Sequence, residues 1–474
     1  MFKSKVSINE GINYQKVSLY YFFGTLFSKG ITFVSLPIFS RILSTYDYGV
    51  VTTYNSWVLI AKMIMGLALH TSIQVGVVDY KKNYNEYTSS IIWFSILNSC
   101  IDGVIAFVLI SHFSNVKNIL VLMCLINAFS VSVIEDYSVY LMMKYQYKIR
   151  TCFMVLPNLL AIILSVYTIN NIVLSNRYIG RIVPTAITQF IFAIIAVVII
   201  TIKSKPVLKK EYIMYGIRIS IPLIAHGISL TVLAQSDRIM LTSFSGADQT
   251  GIYSLIYNFA ALSTAITTAV DGAWVPWFYF KLGDKQYDII NEKSKFYIVS
   301  MAVIMSVVML ISPEIIILMA DSSYWEGIII IPPIVMSNYV IFMYSLYVNI
   351  EHYHKRTMYI MFNTVLAAII NICLNYIFVP QYGYVAAACT TIFSYIVAFV
   401  LHFSYAKKLE KHILDINMFY VPIISVIVSI LVFYLFKDFL LARLLFILII
   451  LIIYIMLNQK KIGDLIKYRF NKGR

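Results

Sequence analysis

Stretches of about twenty apolar residues, parted by short polar breaks, recur from one end of the chain to the other. Fourteen windows can be placed: 17–39, 48–76, 91–111, 116–137, 152–172, 181–202, 214–236, 251–274, 296–318, 328–350, 358–378, 385–405, 416–436 and 439–457. A helix of roughly 20 apolar residues spans about 30 Å of hydrocarbon. Lipid leaves no partner for a bare backbone, so a span is a helix or part of a closed barrel. Windows this long and uninterrupted read as helices. The second is long for one crossing and is expected to tilt or to extend past the membrane. The predicted fold class is therefore an all-α integral membrane protein with about fourteen transmembrane helices.

The windows repeat at a higher level. Lys29-Gly30-Ile31-Thr32 returns as His226-Gly227-Ile228-Ser229, 197 residues later. The same register carries Arg41-Ile42-Leu43 onto Arg238-Ile239-Met240. After a five-residue insertion, Gly49-Val50 falls on Gly251-Ile252. A weaker match sets Ile179-Gly180, Thr188 and Phe190 on Tyr382-Gly383, Thr391 and Phe393. Six helices separate the copies, so both run the same way through the membrane, as parallel repeats. The expected layout is an N-terminal six-helix lobe at 1–202 and a cytoplasmic linker at 203–213. A C-terminal six-helix lobe follows at 214–405. Two extra helices and a basic cytoplasmic tail occupy 406–474.

Composition supports this picture: 60% of residues are hydrophobic, 12% are charged, and mean hydropathy is +0.81. Ordinary soluble domains carry roughly 25% charged residues. The net charge of +15 would fit nucleic acid, but its distribution does not. With fourteen spans, 28 Lys and Arg fall on the side of both termini and 7 on the other. That bias places the termini in the cytoplasm and makes the basic loops topology signals, with a secondary attraction to anionic lipid. No basic face is tied to a soluble fold, so nucleic acid is not an expected partner. The basic N-terminus lacks a small-residue cleavage site after a short apolar core and reads as an uncleaved span. Five cysteines lie in or beside spans without paired spacing, which indicates neither a disulfide framework nor a metal site. No connection exceeds about 20 residues, which leaves no extramembrane domain for a soluble catalytic site.

Charge inside the membrane is the candidate chemistry. Lys29, Lys62 and Asp102 fall near the middles of spans one, two and three, and His226 near the middle of span seven. A full charge at that depth costs about 2.5–3.5 kcal/mol, so it should face protein or water. The repeat makes Lys29 and His226 equivalent, and a two-fold relation would set them across a central cavity. A lysine's three donors suit phosphate oxygens, so Lys29, Lys62 and His226 are candidate binding residues for an anionic cargo. The alternative is structural: Lys29 or Lys62 pairs with Asp102 inside the first lobe. Asp102 is a candidate either for proton or sodium coupling or for plain counter-ion duty. Arg41, Asp237 and Arg238 mark the outer ends of spans one and seven, as helix anchors or an outer gate, with Asp237 a local partner for Arg238. Glu135, Asp136 and His402 read as interfacial. Tyr253, Tyr257, Tyr344 and Tyr347 lie on candidate cavity helices but carry no sugar assignment, since aromatic belts mark both membrane interfaces.

Three stretches then carry a resemblance: Pro37–Leu43 with Tyr48-Gly49, Ser236-Asp237-Arg238-Ile239, and Asn371–Ala388, where an Asn-bearing helix ends at Pro380 and a Gly-Ala run starts the next. On these the chain resembles the bacterial lipid-linked oligosaccharide flippases of surface polysaccharide biosynthesis, O-antigen flippases included. They belong to the superfamily that also holds multidrug and toxin extrusion transporters. The resemblance implies two bundles around a cavity that opens alternately to each side of the bacterial inner membrane. It implies an undecaprenyl-diphosphate-linked oligosaccharide as cargo, no covalent chemistry and no cofactor. It also implies working partners in a polysaccharide polymerase and a chain-length regulator. Lys29 matches the family's basic cavity residues in position and chemistry. The second lobe departs from that pattern, since His226 stands where a fixed charge would. A multidrug exporter of the same superfamily is the alternative, though cationic drugs favour acidic cavities. A membrane polymerase or glycosyltransferase would need a large outer loop or an acidic loop pair, and neither is visible.

Overall fold

The computed structural model describes residues 30–113 and 116–472 apart from Thr32, without the side chains at 222, 223, 225, 226, 262, 265, 269, 273 and from 460 onward. Every regular element among them is helical. In order they are α1 (Phe33–Ile42), α2 (Thr45–Met65), α3 (His70–Asp79), α4 (Tyr84–Phe113), α5 (Asn118–Met143), α6 (Tyr147–Asn171), α7 (Arg177–Lys203) and α8 (Lys210–Ser245). Then come α9 (Ala247–Ala260), α10 (Leu262–Gly283), α11 (Tyr287–Met319), a 3-10 turn (Ser322–Ile330), α12 (Ile331–Tyr353), α13 (Thr357–Leu409), α14 (Asn417–Leu435) and α15 (Leu440–Lys472). Each apolar window falls on helix wherever it is described. Ten helices among the described residues are long and apolar enough to cross a bilayer. The chain is an all-α, multi-pass membrane protein.

Two windows depart from a plain span. The second window is two helices, α2 and α3, broken at residues 66–69. Its excess length therefore comes from a break in the helix, where tilt had been expected. The eleventh and twelfth windows form one continuous element, α13, folded back at Gly383 (φ 55°, ψ −138°). Only glycine enters that region freely. Any Cβ there would also stand 1.8 Å from Gln249 Oε1, which accepts from the Tyr384 N–H at 3.1 Å. The fold-back brings Tyr359 onto Tyr405, with ring centroids 3.6 Å apart.

The chain divides into two compact units: Met1–Leu43 with Val50–Val232, and Ser44–Gly49 with Leu233–Arg474. In the first, α5 packs along α4, α6 and α7 over a core of Leu69, Ile73, Ile91, Val133, Tyr137 and Ala196. Tyr80 stacks on Tyr87 at 4.6 Å and meets Tyr212 and Tyr215 edge-on, which ties the start of α8 to the α3–α4 turn. Lys209 reaches Glu86 at 2.7 Å, and that carboxylate holds its ammonium charged above the ordinary lysine range. In the second unit α12 is central: 78% of its apolar window is buried, against 17% for α15. The last two helices pack on α11. Arg443 of α15 is buried there and binds Glu314 and the Leu310 carbonyl of α11. Leu441, Leu445, Leu448 and Ile452 remain exposed, as expected of a lipid-facing surface.

Within the second unit, the glycines that the sequence repeat pairs meet each other. A Cβ on Gly49 would stand 1.7 Å from the Ala247 carbonyl oxygen, and one on Gly251 would stand 2.0 Å from the Thr45 carbonyl oxygen. The contact is reciprocal, and small residues permit it. Ser44 starts α2 by accepting from the Asp47 N–H at 3.0 Å and donating to its carboxylate at 2.7 Å, a capping arrangement. Thr45 adds a 2.6 Å bond to Asp248.

Candidate functional site

The break between α2 and α3 gathers a cluster of ionisable groups inside the first unit. Leu67 (φ 48°) and Ala68 (φ 47°) sit in the left-handed region, which costs a side-chain-bearing residue about 1–3 kcal/mol. Neighbours satisfy the carbonyls that the break exposes. Met65 accepts from Asn98 Nδ2 at 3.0 Å and Ser99 Oγ at 3.1 Å on α4. Ala68 accepts from Thr71 Oγ1 at 2.8 Å and Ser220 Oγ at 3.3 Å. Gly66 lets α5 approach, because a Cβ there would stand 2.0 Å from Ser132 Oγ.

Three ionisable side chains meet at the break. Lys62 Nζ lies 2.8 Å from Glu135 Oε2, with the lysine side chain 16% exposed. His70 Nδ1 lies 3.6 Å from the same oxygen. Asp136, the next residue of α5, is 1% exposed, and its Oδ2 has no hydrogen-bond partner among the described residues. This corrects two expectations. Lys62 does not pair with Asp102, which accepts instead from Asn98 Nδ2 one turn back on α4, at 2.7 Å. Glu135 and Asp136 do not close the helix, because α5 runs on to Met143, about two turns beyond them.

The other candidates are placed unequally. Lys29 lies outside the described residues. His226 lies within α8, and its side chain is outside the description. The helix itself passes α2 closely here, since a Cβ on Gly227 would stand 2.3 Å from Met63 Cε. Lys62 and His226 therefore occupy neighbouring helices at adjoining positions. Arg41, at the end of α1, is exposed.

In the second unit Asp237 is 3% exposed and is held by Tyr253 Oη and Thr391 Oγ1, each at 2.6 Å, and by Asn375 Nδ2 at 2.7 Å. Asn371 accepts from Ser236 at 2.7 Å, and Thr390 donates to Asn375. Asp237 is thus turned away from Arg238. That guanidinium binds the Ala234 carbonyl and Gln235 Oε1 and lies 4.8 Å over the Tyr257 ring. Among the described residues no group of three or more His, Cys, Asp or Glu gathers as a metal site.

Sequence reasoning missed one further pair. His402 is 2% exposed, not interfacial, and lies 2.9 Å from the fully buried Glu351, with Tyr344 stacked on its ring. Both residues sit near predicted span ends, so only the fold-back of α13 against α12 shows that they meet. Tyr253 and Tyr347 are buried hydrogen-bond donors, to Asp237 and to the Leu414 carbonyl, which leaves neither free for a sugar.

Comparison with known proteins bears on what this arrangement serves. A family model described as polysaccharide biosynthesis protein matches residues 15–279, more than half of the chain. Among solved structures, an inward closed lipid II flippase MurJ superposes with a TM-score of 0.70 at 15% identity, over 94% of this chain and 99% of that one. An inward-facing multidrug resistance MATE family transporter gives 0.57 at 13% identity, over 80% of this chain and 94% of that one. An outward-facing structure of such a transporter gives 0.54 at 14%, over 83% and 95%. At these identities the likeness is one of fold. Sequence comparison with curated proteins finds no match.

Proposed function

The chain belongs to the polysaccharide biosynthesis protein family, and from that premise we propose that it is a flippase for lipid-linked oligosaccharides. Its cargo is an undecaprenyl-diphosphate-linked repeat unit, carried from the cytoplasmic to the outer leaflet of a bacterial inner membrane for O-antigen or capsule assembly. The observation that carries this reading is a lysine inside a membrane-crossing helix, Lys62, partly exposed and opposed by one carboxylate. Maintaining a charge there is costly unless it serves a polar route. The MurJ structure, titled a lipid II flippase, supports the reading through its fold.

In this account the diphosphate binds Lys62 and Lys29, with His226 from the neighbouring helix assisting. The sugars occupy a wet cavity, and the polyprenyl tail stays in lipid. Rocking of the lobes 1–202 and 214–405 about linker 203–213 exposes the site to each leaflet in turn. The appended region 406–474 ends in the cytoplasm. Asp102 serves as a counter-ion or couples a proton or sodium ion, and Arg41 and Arg238 anchor helix ends or form an outer gate, with Asp237 at the latter's side. A polysaccharide polymerase and a chain-length regulator act on the delivered units. Lys29→Ala and Lys62→Ala should each abolish surface polysaccharide while the protein stays in the membrane. Normal polysaccharide in both variants would refute the diphosphate site. The MATE fold keeps a multidrug exporter as the second reading. Drug resistance that rises with overexpression, with unchanged polysaccharide, would favour it.

A further inference from the structure

Lys62 is not waiting empty for an anion. Glu135 already occupies it at 2.8 Å, so a cargo phosphate must displace a carboxylate of the protein itself. The residue beside Glu135 is a second carboxyl, Asp136, fully buried with one oxygen that lacks a hydrogen-bond partner among the described residues. Its polar neighbours are the Ser95 hydroxyl and the His70 backbone N–H. One ammonium thus serves two adjacent carboxyls.

We infer that Glu135 and Asp136 form a proton-binding site that responds to the occupancy of Lys62. This rests on the reading of Lys62 as the diphosphate site. In the resting state Lys62 is charged, Glu135 is ionised against it, and Asp136 holds a proton, because a buried carboxylate without a partner is too costly to keep charged. When phosphate takes Lys62, Glu135 loses its counter-charge beside both an incoming anion and another carboxyl. Like charges at that distance disfavour ionisation. Glu135 then accepts one proton from the aqueous phase, so one anion is bound and one proton is taken up.

Among the described residues, the titratable groups around this pair are few. On α3 the facing titratable group is His70, 3.6 Å from Glu135. On α4 it is Asp102, engaged by Asn98. Arg150 of α6 is spent on Ser138, at 3.2 Å. Between Arg181 and Lys203, α7 carries no charged residue. The strained turn at Leu67 and Ala68 separates Lys62 from His70.

Infrared difference spectroscopy of the full chain in lipid vesicles tests this through the stretching band of protonated carboxyls. Without ligand at neutral pH, the wild type should show one such band that Asp136→Asn removes. Glu135→Gln, which frees Lys62 for Asp136, should remove it as well and covers the case in which the first variant fails to fold. A spectrum unchanged by either variant overturns the proton site. Farnesyl diphosphate should then add a second band, present also in Asp136→Asn and absent with farnesol. Calorimetry in buffers of different ionisation heat should report uptake of one proton. Affinity should therefore weaken about tenfold per unit rise in pH where binding takes up a full proton. Binding without a second band or proton uptake overturns the link. If farnesyl diphosphate binds the wild type and Lys62→Ala equally while the Asp136 band persists, the diphosphate reading fails, the link fails with it, and the proton on Asp136 stands.

Discussion

Asp136 of α5 and Asp237 of α8 are both carboxyl groups buried in long helices, and they live in opposite surroundings. Asp237 receives three hydrogen bonds from Tyr253, Thr391 and Asn375, and a second ring of Asn371, Ser236 and Thr390 holds those donors. Asp136 has an unmet oxygen, a second carboxyl beside it and a strained helix break opposite. Burial alone therefore does not mark a working group. A network with every member satisfied fixes a structure, whereas an unmet buried group is held for another purpose or filled by another state.

That contrast orders the expected effects of substitution. The largest belongs to Asp237→Ala, which orphans three buried donors. At about 1–3 kcal/mol per unmet group, a loss near 4 kcal/mol should appear as a steep fall in detergent melting temperature and folded yield. A variant as stable as the wild type would remove the structural reading of Asp237. Next is Gly66→Ala, where the new methyl meets Ser132 Oγ. Overpacking of this kind costs about 2 kcal/mol, and Ser132→Ala in the same chain should recover part of it. Asn98→Leu strips one donor from Met65 and the donor of Asp102, for about 1 kcal/mol in the same melting assay. The smallest effect is that of Asp136→Asn. Because the acid is already neutral, stability should change by less than about 1 kcal/mol, and the pH dependence of cargo binding, which belongs to Glu135, should be kept. A large destabilisation would erase the distinction between the two centres.

The sequence reveals the helices better than their partners. Every apolar window falls on helix wherever it is described because hydrocarbon enforces one backbone solution, and the two glycines that the repeat pairs, Gly49 and Gly251, lie against each other. The break at Leu67 and Ala68 is silent in sequence, since neither residue is a helix breaker and the donors that stabilise it come from α4 and α8. Glu135 was assigned to the interface because apolarity fades near residue 137, whereas the helix continues to Met143. Its pairing with Lys62 spans 73 positions and leaves no local trace. The Asp237 network is equally hidden, because Asn375 and Thr391 reach it from 138 and 154 positions away. Lys62 itself was legible, because a lone charge in an apolar window needs a reason.

The central claim is that this chain carries an anionic lipid-linked sugar across the membrane by way of Lys62. The most direct measurement reconstitutes the purified protein into vesicles holding a fluorescent polyprenyl-diphosphate oligosaccharide and follows its quenching by a membrane-impermeant reductant. With the wild type, quenching should proceed past the outer-leaflet share toward completion, and with Lys62→Ala it should stop at that share. Equal quenching by the two proteins, or none beyond the outer leaflet by either, would contradict the account.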